Sequence, residues 1–308
     1  MEPLVSVIIT TYNRCAMVRE AIESVLKQDF PDYEIIVVDD GSTDGTDRLV
    51  LEASAKWPWI RLVPLAPRES HCFAAVVRAT EIGLAALQTT DYEFIGLLDA
   101  DVRFEPDYFA RVLAAFEDSP TLGLAGGVVL DVGRPRHERP RNQMDVPGAV
   151  QFFRRECFEL LGGLLAIPEG GWDALTCARA RQLGYDTRLL MDLVVEHLKP
   201  RNAAKGGVFR RNWQLGARDR ALGYHPLFEF IKCVARWNEP PVLAATTARA
   251  LGFVSAGISG TPRLIPDDLR LFVQREQLTR LHNLLQLPKM SRPVVSQTRP
   301  TSGNSALS

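Results

Sequence analysis

Two aspartates, Asp99 and Asp101, follow a short, largely apolar segment at residues 93–98 and carry side chains that could bind a metal ion. The segment is rich in β-forming residues, so it predicts a buried strand with both carboxylates at its C-terminal end. Residues two apart in an extended chain point to the same side. Two carboxylates on one side suit Mg²⁺ or Mn²⁺, which bind a few carboxylates together with phosphate oxygens. An Asp-x-Asp triplet alone also fits an acidic turn, so its interpretation depends on the elements around it.

A second acidic strand end lies upstream in the chain. Residues 5–13 predict a strand, residues 17–27 a helix and residues 33–42 a second strand, which carries Asp39 and Asp40 at its end. This strand–helix–strand unit has the length of a right-handed parallel crossover. Open α/β sheets bind ligands in the crevice beyond the carboxyl ends of their strands, so we expect both acidic clusters to face one crevice. The dinucleotide fingerprint of three spaced glycines is absent from the sequence.

Three segments taken together resemble the family-2 inverting glycosyltransferases of the GT-A fold. They are Val-Ser-Val-Ile-Ile-Thr-Thr-Tyr-Asn at residues 5–13, Ile-Ile-Val-Val-Asp-Asp-Gly-Ser at residues 35–42 and Leu-Leu-Asp-Ala-Asp at residues 97–101. The resemblance covers about the first two-thirds of the chain. It implies an α/β protein with a Rossmann-like, mostly parallel central sheet flanked by helices, and the remaining residues predict a C-terminal helical extension.

The resemblance also implies a nucleotide-sugar donor and a role for each motif residue. The donor would be a UDP-, dTDP- or GDP-sugar, and Thr11, Tyr12 and Asn13 would line the pocket for its base, with Asp39 holding the base. Asp99 would lie near the ribose and the metal, and Asp101 would ligate the Mg²⁺ or Mn²⁺ that bridges the diphosphate. The bases uracil, thymine and guanine stay open, since each offers a ring N–H that an aspartate can accept.

Glycosyl transfer with inversion needs a base to deprotonate the acceptor hydroxyl. Family members usually carry it in a Glu-Asp pair before an amphipathic helix that ends in Gly. Here Glu-Gly-Gly-Trp-Asp at residues 169–173 precedes a helix predicted at residues 174–183, which makes Asp173 the candidate base. Asp173 could instead be the N-cap of that helix. Trp172 stands where family members have Glu, and either core packing or stacking on the acceptor sugar accounts for it.

A histidine after the base helix often completes the metal site in GT-A enzymes. His197, which follows a strand predicted at residues 187–193, is the candidate third ligand, with Glu196 as the competing carboxylate. The segment from Arg68 to residue 84 departs from the family pattern, and Arg68 is the first candidate there for holding the donor, ahead of Arg78. The residues at 73–87 still predict an amphipathic helix.

The composition of the chain limits the classes of protein to which it could belong. The formal net charge of −1 over 308 residues argues against a general nucleic-acid binder. Five cysteines have neither metal-site nor disulfide spacing, so we expect reduced thiols and a cytoplasmic protein. The first strand begins close to Met1, so no signal peptide is expected. No segment has the apolar length of a membrane span.

Residues 241–260 are the most apolar stretch, and two interpretations stay open. They could form a core helix, or a helix at a membrane surface, because basic residues lie nearby and attract anionic lipid. The second interpretation predicts peripheral contact with the inner face of the cytoplasmic membrane. The basic residues are Arg210, Arg211, Arg218, Arg220, Lys232 and Arg236.

The predicted organisation has four parts. Residues 1–130 form a nucleotide-sugar-binding half, residues 131–198 an acceptor-side half with the base, residues 199–287 a helical extension, and residues 288–308 a disordered tail. The arginine-rich stretch 133–142 is either a solvated linker or a lid that reaches the diphosphate. Residues 267–285 have the apolar spacing of an amphipathic helix.

The predicted function is metal-dependent transfer of a sugar to a hydroxyl of a glycan or lipid-linked acceptor, in surface polysaccharide or glycoconjugate synthesis. Two alternatives are a sugar nucleotidyltransferase and a non-catalytic sugar-binding relative. A nucleotidyltransferase would normally open with a glycine-rich basic loop, whereas this chain has Thr-Tyr-Asn-Arg at residues 11–14. A sugar-binding protein would not need Asp99, Asp101 and Asp173 together.

Overall fold

A computed structural model describes residues 4–67, 74–89, 91–133, 142–199, 207–238, 243–259 and 264–286. Arg68, most of the arginine-rich stretch at residues 133–142, and the tail at 288–308 lie outside the described residues.

The described strands form one sheet with helices on both sides. The strands are β1 (Val5–Thr11), β2 (Tyr33–Asp39), β3 (Ile60–Pro64), β4 (Phe94–Asp99), β5 (Val102–Arg103), β6 (Leu122–Asp131), β7 (Val150–Arg154) and β8 (Asp186–His197). The helices of the sheet region are α1 (Cys15–Leu26), α2 (Thr46–Lys56), α3 (Ala74–Ala85), α4 (Tyr108–Glu117), α5 (Arg155–Leu161) and α6 (Trp172–Gln182).

The order of strands across the sheet is β3-β2-β1-β4-β7-β6-β8-β5. The first four strands run parallel, as do β6 and β8, while β7 runs antiparallel to both β4 and β6. β5 pairs antiparallel with β8. The prediction of an α/β fold with a mostly parallel sheet is therefore confirmed. One continuous sheet crosses the boundary that the sequence placed at residue 130.

Two apolar layers cover the sheet because successive side chains of a strand point to opposite faces. On β1, Val5, Val7 and Ile9 pack with α1, α2 and α4, whereas Ile8 packs on the other side with residues of α3. A strand that is buried on both faces has an unbroken run of apolar residues in its sequence. Residues 35–38 form such a run, and they therefore predict β2 clearly.

Aromatic rings fill the first layer under β4 and β7. Phe109, which is fully buried, lies edge-on to Phe152 with ring centroids 5.1 Å apart, and it also contacts Tyr33 and Phe104. Edge-to-face pairs of this kind add to the stabilisation from burial alone. This cluster fixes α4 beneath β4, the strand that ends at Asp99.

Four further helices follow the sheet: α7 (Gly207–Ala221), α8 (Pro226–Ala235), α9 (Ala244–Ile258) and α10 (Asp267–Gln286). Their presence agrees with the predicted helical extension. α10 packs on α6 through Arg181, whose guanidinium lies 2.7 Å from Glu276 and 3.3 Å from Asp145. The extension is thus tied to the helix that carries Asp173.

One sequence-based bound was short. β8 continues four residues beyond the predicted end at 193, so His197 is its last residue rather than part of a following loop.

The described cysteines are unpaired, and Cys157, Cys177 and Cys233 are buried, in agreement with the expected thiols.

Replacing Phe109 by Ala removes a fully buried ring from the aromatic cluster. We expect Phe109→Ala to lower the free energy of unfolding by about 3–5 kcal/mol, since the cavity cannot close under a sheet held on both faces. Urea unfolding followed by circular dichroism measures the change. Leu51→Ala on α2 is the matched control, because that leucine is exposed and should change stability by about 0.5 kcal/mol or less. Equal losses of unfolding free energy in the two variants would show that the aromatic cluster does not stabilise the core.

Candidate active site

Strand pairing places Asp101 beside His197. β4 ends at Asp99, the chain turns through Ala100 and Asp101, and β5 begins at Val102. Val102 pairs with His197 on β8, and the backbone N–H of Leu198 donates to the carbonyl of Asp101 at 2.8 Å. Residues nearly a hundred positions apart are brought together by this two-residue strand.

The imidazole of His197 lies between two carboxylates. Its Nε2 is 3.4 Å from Asp101 Oδ1 and its Nδ1 is 3.4 Å from Asp131 Oδ1. Sequence reasoning missed Asp131, which follows an apolar strand in the same way as Asp99 does. Glu196 points to the opposite face of β8, where Arg103 binds it at 2.6 Å. Glu196 therefore does not compete with His197 for a place beside Asp101.

Acidic groups are crowded at this edge of the sheet. Burial, followed by the negative charges of Asp101 and Asp173, raises the pKa of Asp99 to about 7 against the opposing influence of His197 and Arg14. Burial also acts to raise the pKa of Asp101, but the hydrogen bond and charge of His197 and the charge of Arg14 outweigh it and lower that pKa. Asp99, Asp101, Asp173 and His197 thus act on one another across one small region.

Arg14 is the cation that the structure adds to this set. Its Nη1 donates to the carbonyls of Tyr12 and Asn13 at 3.5 and 3.0 Å, and its Nε lies 3.6 Å from Asp101 Oδ2. The two carbonyls orient the guanidinium towards the acids. Sequence reasoning quoted Thr-Tyr-Asn-Arg without assigning a role to the arginine, although a cation one residue past the motif was a usable signal.

The loop after β1 is held to the loop after β2 by side-chain hydrogen bonds. Asn13 Oδ1 accepts from the backbone N–H of Thr43 at 2.8 Å, and the N–H of Asn13 donates to Ser42 Oγ at 2.8 Å. Asn13 has φ of 49°, a left-handed conformation that asparagine tolerates better than most residues. Asp39 accepts hydrogen bonds from both the hydroxyl and the N–H of Ser42, and burial raises its pKa in spite of them.

A cavity of about 250 Å³ opens at the carboxyl ends of β1 and β4. Its walls come from the loops after these strands, from Asp40 and from one face of α3. The residues that line the cavity are Thr10, Thr11, Tyr12, Arg14, Asp40, Ala75, Val76, Ala79, Asp99, Ala100 and Asp101. Thr11 and Tyr12 line this cavity, whereas Asn13 and Asp39 are not among its lining residues, and the predicted contact of these four residues with a base stays a prediction. In the described chain, the buried Oγ1 of Thr11 has no hydrogen-bond partner.

Asp173 lies in the first turn of α6 and is not its cap. Gly171, with φ of 92°, is the N-cap, so the interpretation of Asp173 as a helix cap was wrong. Asp173 Oδ2 accepts from the N–H of Gly148 at 3.2 Å, which holds the carboxylate against the loop before β7. Trp172 is buried, with its ring against Gly148, so packing accounts for it.

The carboxylate and imidazole groups at this site suit a hard divalent cation that also binds phosphate. In the part of the chain that the structure describes, no three His, Cys, Asp or Glu side chains form a ready-made metal site. Mg²⁺ and Mn²⁺ commonly use one or two carboxylates and take their other ligands from substrate phosphates and water. Asp101, with Asp99 and His197 beside it, fits that pattern.

Comparison with known proteins identifies the family. The model of glycosyl transferase family 2 matches residues 6–171, which is more than half of the chain, and the protein belongs to this family. Poly-beta-1,6-N-acetyl-D-glucosamine synthase of Staphylococcus epidermidis is 26% identical over 235 residues, covering 72% of this chain and 48% of that protein. The chain spans about half the length of the curated relatives that it matches.

Solved structures support the same fold. The mannosyltransferase PcManGT from Pyrobaculum calidifontis, in complex with GDP-Man and Mn²⁺, aligns with a TM-score of 0.57 at 21% identity, over 94% of this chain and 82% of that one. TarS 1–349 of S. aureus, in complex with UDP-GlcNAc, aligns with a TM-score of 0.51 at 19% identity, over 92% and 80% of the two chains. The prediction of a GT-A glycosyltransferase fold is confirmed.

The contacts of Asn13 predict that replacing it with alanine destabilises the protein more than replacing it with glycine. Asn13→Ala should lower the free energy of unfolding by about 2 kcal/mol, because alanine loses the bond to Thr43 and keeps a left-handed backbone. Asn13→Gly should lose only about half of that, since glycine adopts the conformation freely. Urea titration of both variants measures the difference. Asn212→Ala on α7 is the control, and a glycine variant less stable than the alanine variant would contradict the strain argument.

Proposed function

We propose that the protein is a metal-dependent inverting glycosyltransferase that moves a sugar from a nucleoside-diphosphate sugar to an acceptor hydroxyl. The convergence of Asp99, Asp101, Asp173 and His197 carries this proposal, and Asp99 and Asp101 line the cavity. These residues come from three different segments: the turn between β4 and β5, the first turn of α6 and the end of β8. Family membership supports the same reaction class.

Asp101 and His197 are the proposed metal ligands, with Asp99 next to them. A bound Mg²⁺ or Mn²⁺ would neutralise the charge that develops on the departing diphosphate. Asp101 stays ionised at neutral pH because His197 and Arg14 lower its pKa, so it is ready to bind a cation. The Mn²⁺ in the PcManGT complex supports a divalent ion in this fold, and the choice between Mg²⁺ and Mn²⁺ stays open.

Asp173 is the proposed general base. The carboxylate lies at the start of α6, held by the N–H of Gly148, and its charge reaches Asp99. A base beside the leaving-group site can accept the proton of an acceptor hydroxyl that approaches from the other side of the sugar ring. Its second oxygen would receive that proton while the bond to Gly148 keeps the carboxylate in place.

The donor would enter through the cavity lined by Thr11, Tyr12 and Asp40. GDP-Man and UDP-GlcNAc in the two aligned complexes support a nucleotide sugar without fixing the base for this chain. Asp39, the residue predicted to hold the base, is now engaged by Ser42 and would bind a base only with its remaining lone pairs or after the loop moves. Thermal shift against UDP-, dTDP- and GDP-sugars with Mn²⁺ would identify the donor.

A glycan or a lipid-linked glycan is the proposed acceptor. The name of the staphylococcal relative, a synthase of a polysaccharide, supports a role in polysaccharide or glycoconjugate synthesis. The predicted cytoplasmic location stays a prediction. Release of nucleoside diphosphate rather than pyrophosphate would separate this function from sugar nucleotidyl transfer.

Substitutions of Asp101 and Asp173 should block different steps of the reaction. Asp173→Asn should bind donor normally and lose roughly 10²–10⁴-fold in kcat, because only proton abstraction is removed. Asp101→Ala should lose metal-dependent donor binding. Isothermal titration and nucleoside-diphosphate release measure the two steps, and the exposed Asp91→Asn serves as control. Transfer by Asp173→Asn at a rate comparable to wild type would refute the base assignment.

Arg14 should act as a built-in counter-ion of the acids. Arg14→Ala should bind Mn²⁺ roughly tenfold more tightly in the absence of nucleotide, because a cation 3.6 Å from Asp101 is removed. The same variant should bind nucleoside diphosphate more weakly, while Arg14→Lys should lie between. Electron paramagnetic resonance of free Mn²⁺ measures the first effect. The control is Arg48→Ala on α2, and an unchanged Mn²⁺ affinity for Arg14→Ala would contradict this role.

A further inference from the structure

The helix α9 has its polarity reversed relative to an ordinary surface helix. Its single charged residue, Arg249, is buried, whereas Leu251, Val254 and Ile258 face outward at spacings of three and four residues. Ile258 is 83% exposed. A surface helix in water normally presents its charged side to the solvent and its apolar stripe to the core.

The neighbouring helix α8 is reversed in the same way. Glu229 and Cys233 are buried, while Leu227, Phe230 and Val234 form an outward row, with Phe230 66% exposed. The row again follows the helical repeat of three and four residues, so it is a continuous stripe rather than isolated exposed side chains.

Buried charges hold these helices together. Arg249 binds Asp219 of α7 and Glu229 of α8, the latter at 2.7 Å. Lys232 lies 2.7 Å from Asp219 as well. The interior of the α7–α9 bundle therefore contains ion pairs beside small apolar residues and Phe253, and its outer surface contains several large apolar side chains.

The contact between α7 and α9 depends on two glycines. A Cβ on Gly216 would lie 1.9 Å from the carbonyl oxygen of Arg249, and a Cβ on Gly252 would lie 2.1 Å from that of Trp213. Helix pairs in lipid pack in this way, through small residues that let the backbones approach and through interhelical polar contacts. The packing thus agrees with an apolar environment outside the bundle.

The charge that remains on the bundle surface is positive. Helices α7, α8 and α9 contain six arginine and lysine residues and two acids, and both acids, Asp219 and Glu229, are buried. Arg211 and Arg236 border a depression of about 300 Å³ between the three helices, together with the exposed Val208. Cations next to exposed apolar groups complement a surface that presents anionic headgroups above hydrocarbon.

Helix length limits the mode of contact. Among the described segments, none combines the length and the apolar content of a membrane span. The 15 residues of α9 measure about 22 Å, shorter than a bilayer core of roughly 30 Å. A reversed helix of this length fits the interface, with its apolar stripe among the acyl chains.

We propose that the outer faces of α8 and α9 dock on an anionic phospholipid membrane, with Arg210, Arg211 and Arg236 contacting lipid headgroups. The docking itself requires no catalysis. It also favours a lipid-linked acceptor over a free glycan, and this second part rests on the proposed function.

Flotation of the 308-residue chain with vesicles tests the docking. Vesicles of phosphatidylcholine alone are compared with vesicles of equal parts phosphatidylcholine and phosphatidylglycerol, at low and high salt. We expect flotation with the anionic vesicles and its loss at high salt, because the headgroup contacts are screened. Absence of flotation with anionic vesicles would overturn the proposal.

Matched variants separate the contribution of the apolar stripes from that of the charges. The double variant Phe230→Ser and Ile258→Ser should reduce vesicle partitioning at least about tenfold, since two large apolar side chains no longer enter the bilayer. Arg210→Glu with Arg211→Glu should remove the preference for anionic lipid. Leu51→Ser with Leu160→Ser alters two exposed leucines on α2 and α5 and should partition like wild type.

Two further measurements keep the outcomes distinct. Circular dichroism and donor binding on every variant establish that it is folded, so loss of flotation with intact donor binding assigns the effect to the membrane face. If donor binding fails in wild type while flotation succeeds, the proposed function falls and the docking stands. Sedimentation velocity that finds a dimer broken by the Phe230 and Ile258 changes, without vesicle binding, would assign the face to a second copy and overturn the proposal.

Discussion

Repulsion among acids at one edge of the sheet is the constraint on which the site depends. Asp99 and Asp101 leave the end of β4 two residues apart, and Asp173 approaches from α6 closely enough to help raise the pKa of Asp99 to about 7. Crowded carboxylates in a partly buried place are neutralised either by a proton, which the raised pKa of Asp99 favours, or by a cation. Arg14 and His197 supply part of that compensation, and a divalent ion with a diphosphate would supply the remainder in the proposed reaction.

The scaffold explains how such crowding is tolerated. Asp101 is placed by the pairing of β5 with β8, Asp173 by its bond to Gly148, and Arg14 by two backbone carbonyls. Each group is held by backbone contacts that do not depend on the other acids. The aromatic cluster around Phe109 and the ion pairs of Arg181 fix the helices below and beside these loops.

Sequence reasoning recovered what local patterns encode. Unbroken apolar runs predicted β1, β2 and β4 because these strands are buried on both faces, and acids at their ends predicted the crevice. The pairing of His197 with Asp131 was not predictable, because it depends on the register of β6 against β8. For residues 241–260, which include α9, a core helix and a helix at a membrane surface both stayed open, because periodicity shows an apolar stripe but not whether it faces the core or the outside. Asp173 was taken for a candidate cap since nothing local shows that Gly171 ends the loop.

The bundle and the site are neighbours in the fold. Gly171 at the start of α6 packs on Leu222 and Arg218 of the α7 region, so the helix that carries Asp173 rests on the proposed membrane-facing bundle. A surface that holds the protein on a bilayer would therefore bring the acceptor side of the site close to lipid-linked glycans. This arrangement connects the unusual polarity of α8 and α9 with the proposed reaction.

A crystal structure with Mn²⁺ and a nucleoside diphosphate, with manganese located by its anomalous scattering, tests the central claim most directly. The account predicts one manganese peak within about 2.2 Å of an Asp101 carboxylate oxygen and of diphosphate oxygens, in the cavity lined by Thr11 and Tyr12. A diphosphate bound elsewhere, or a manganese peak without contact to Asp101, would contradict it.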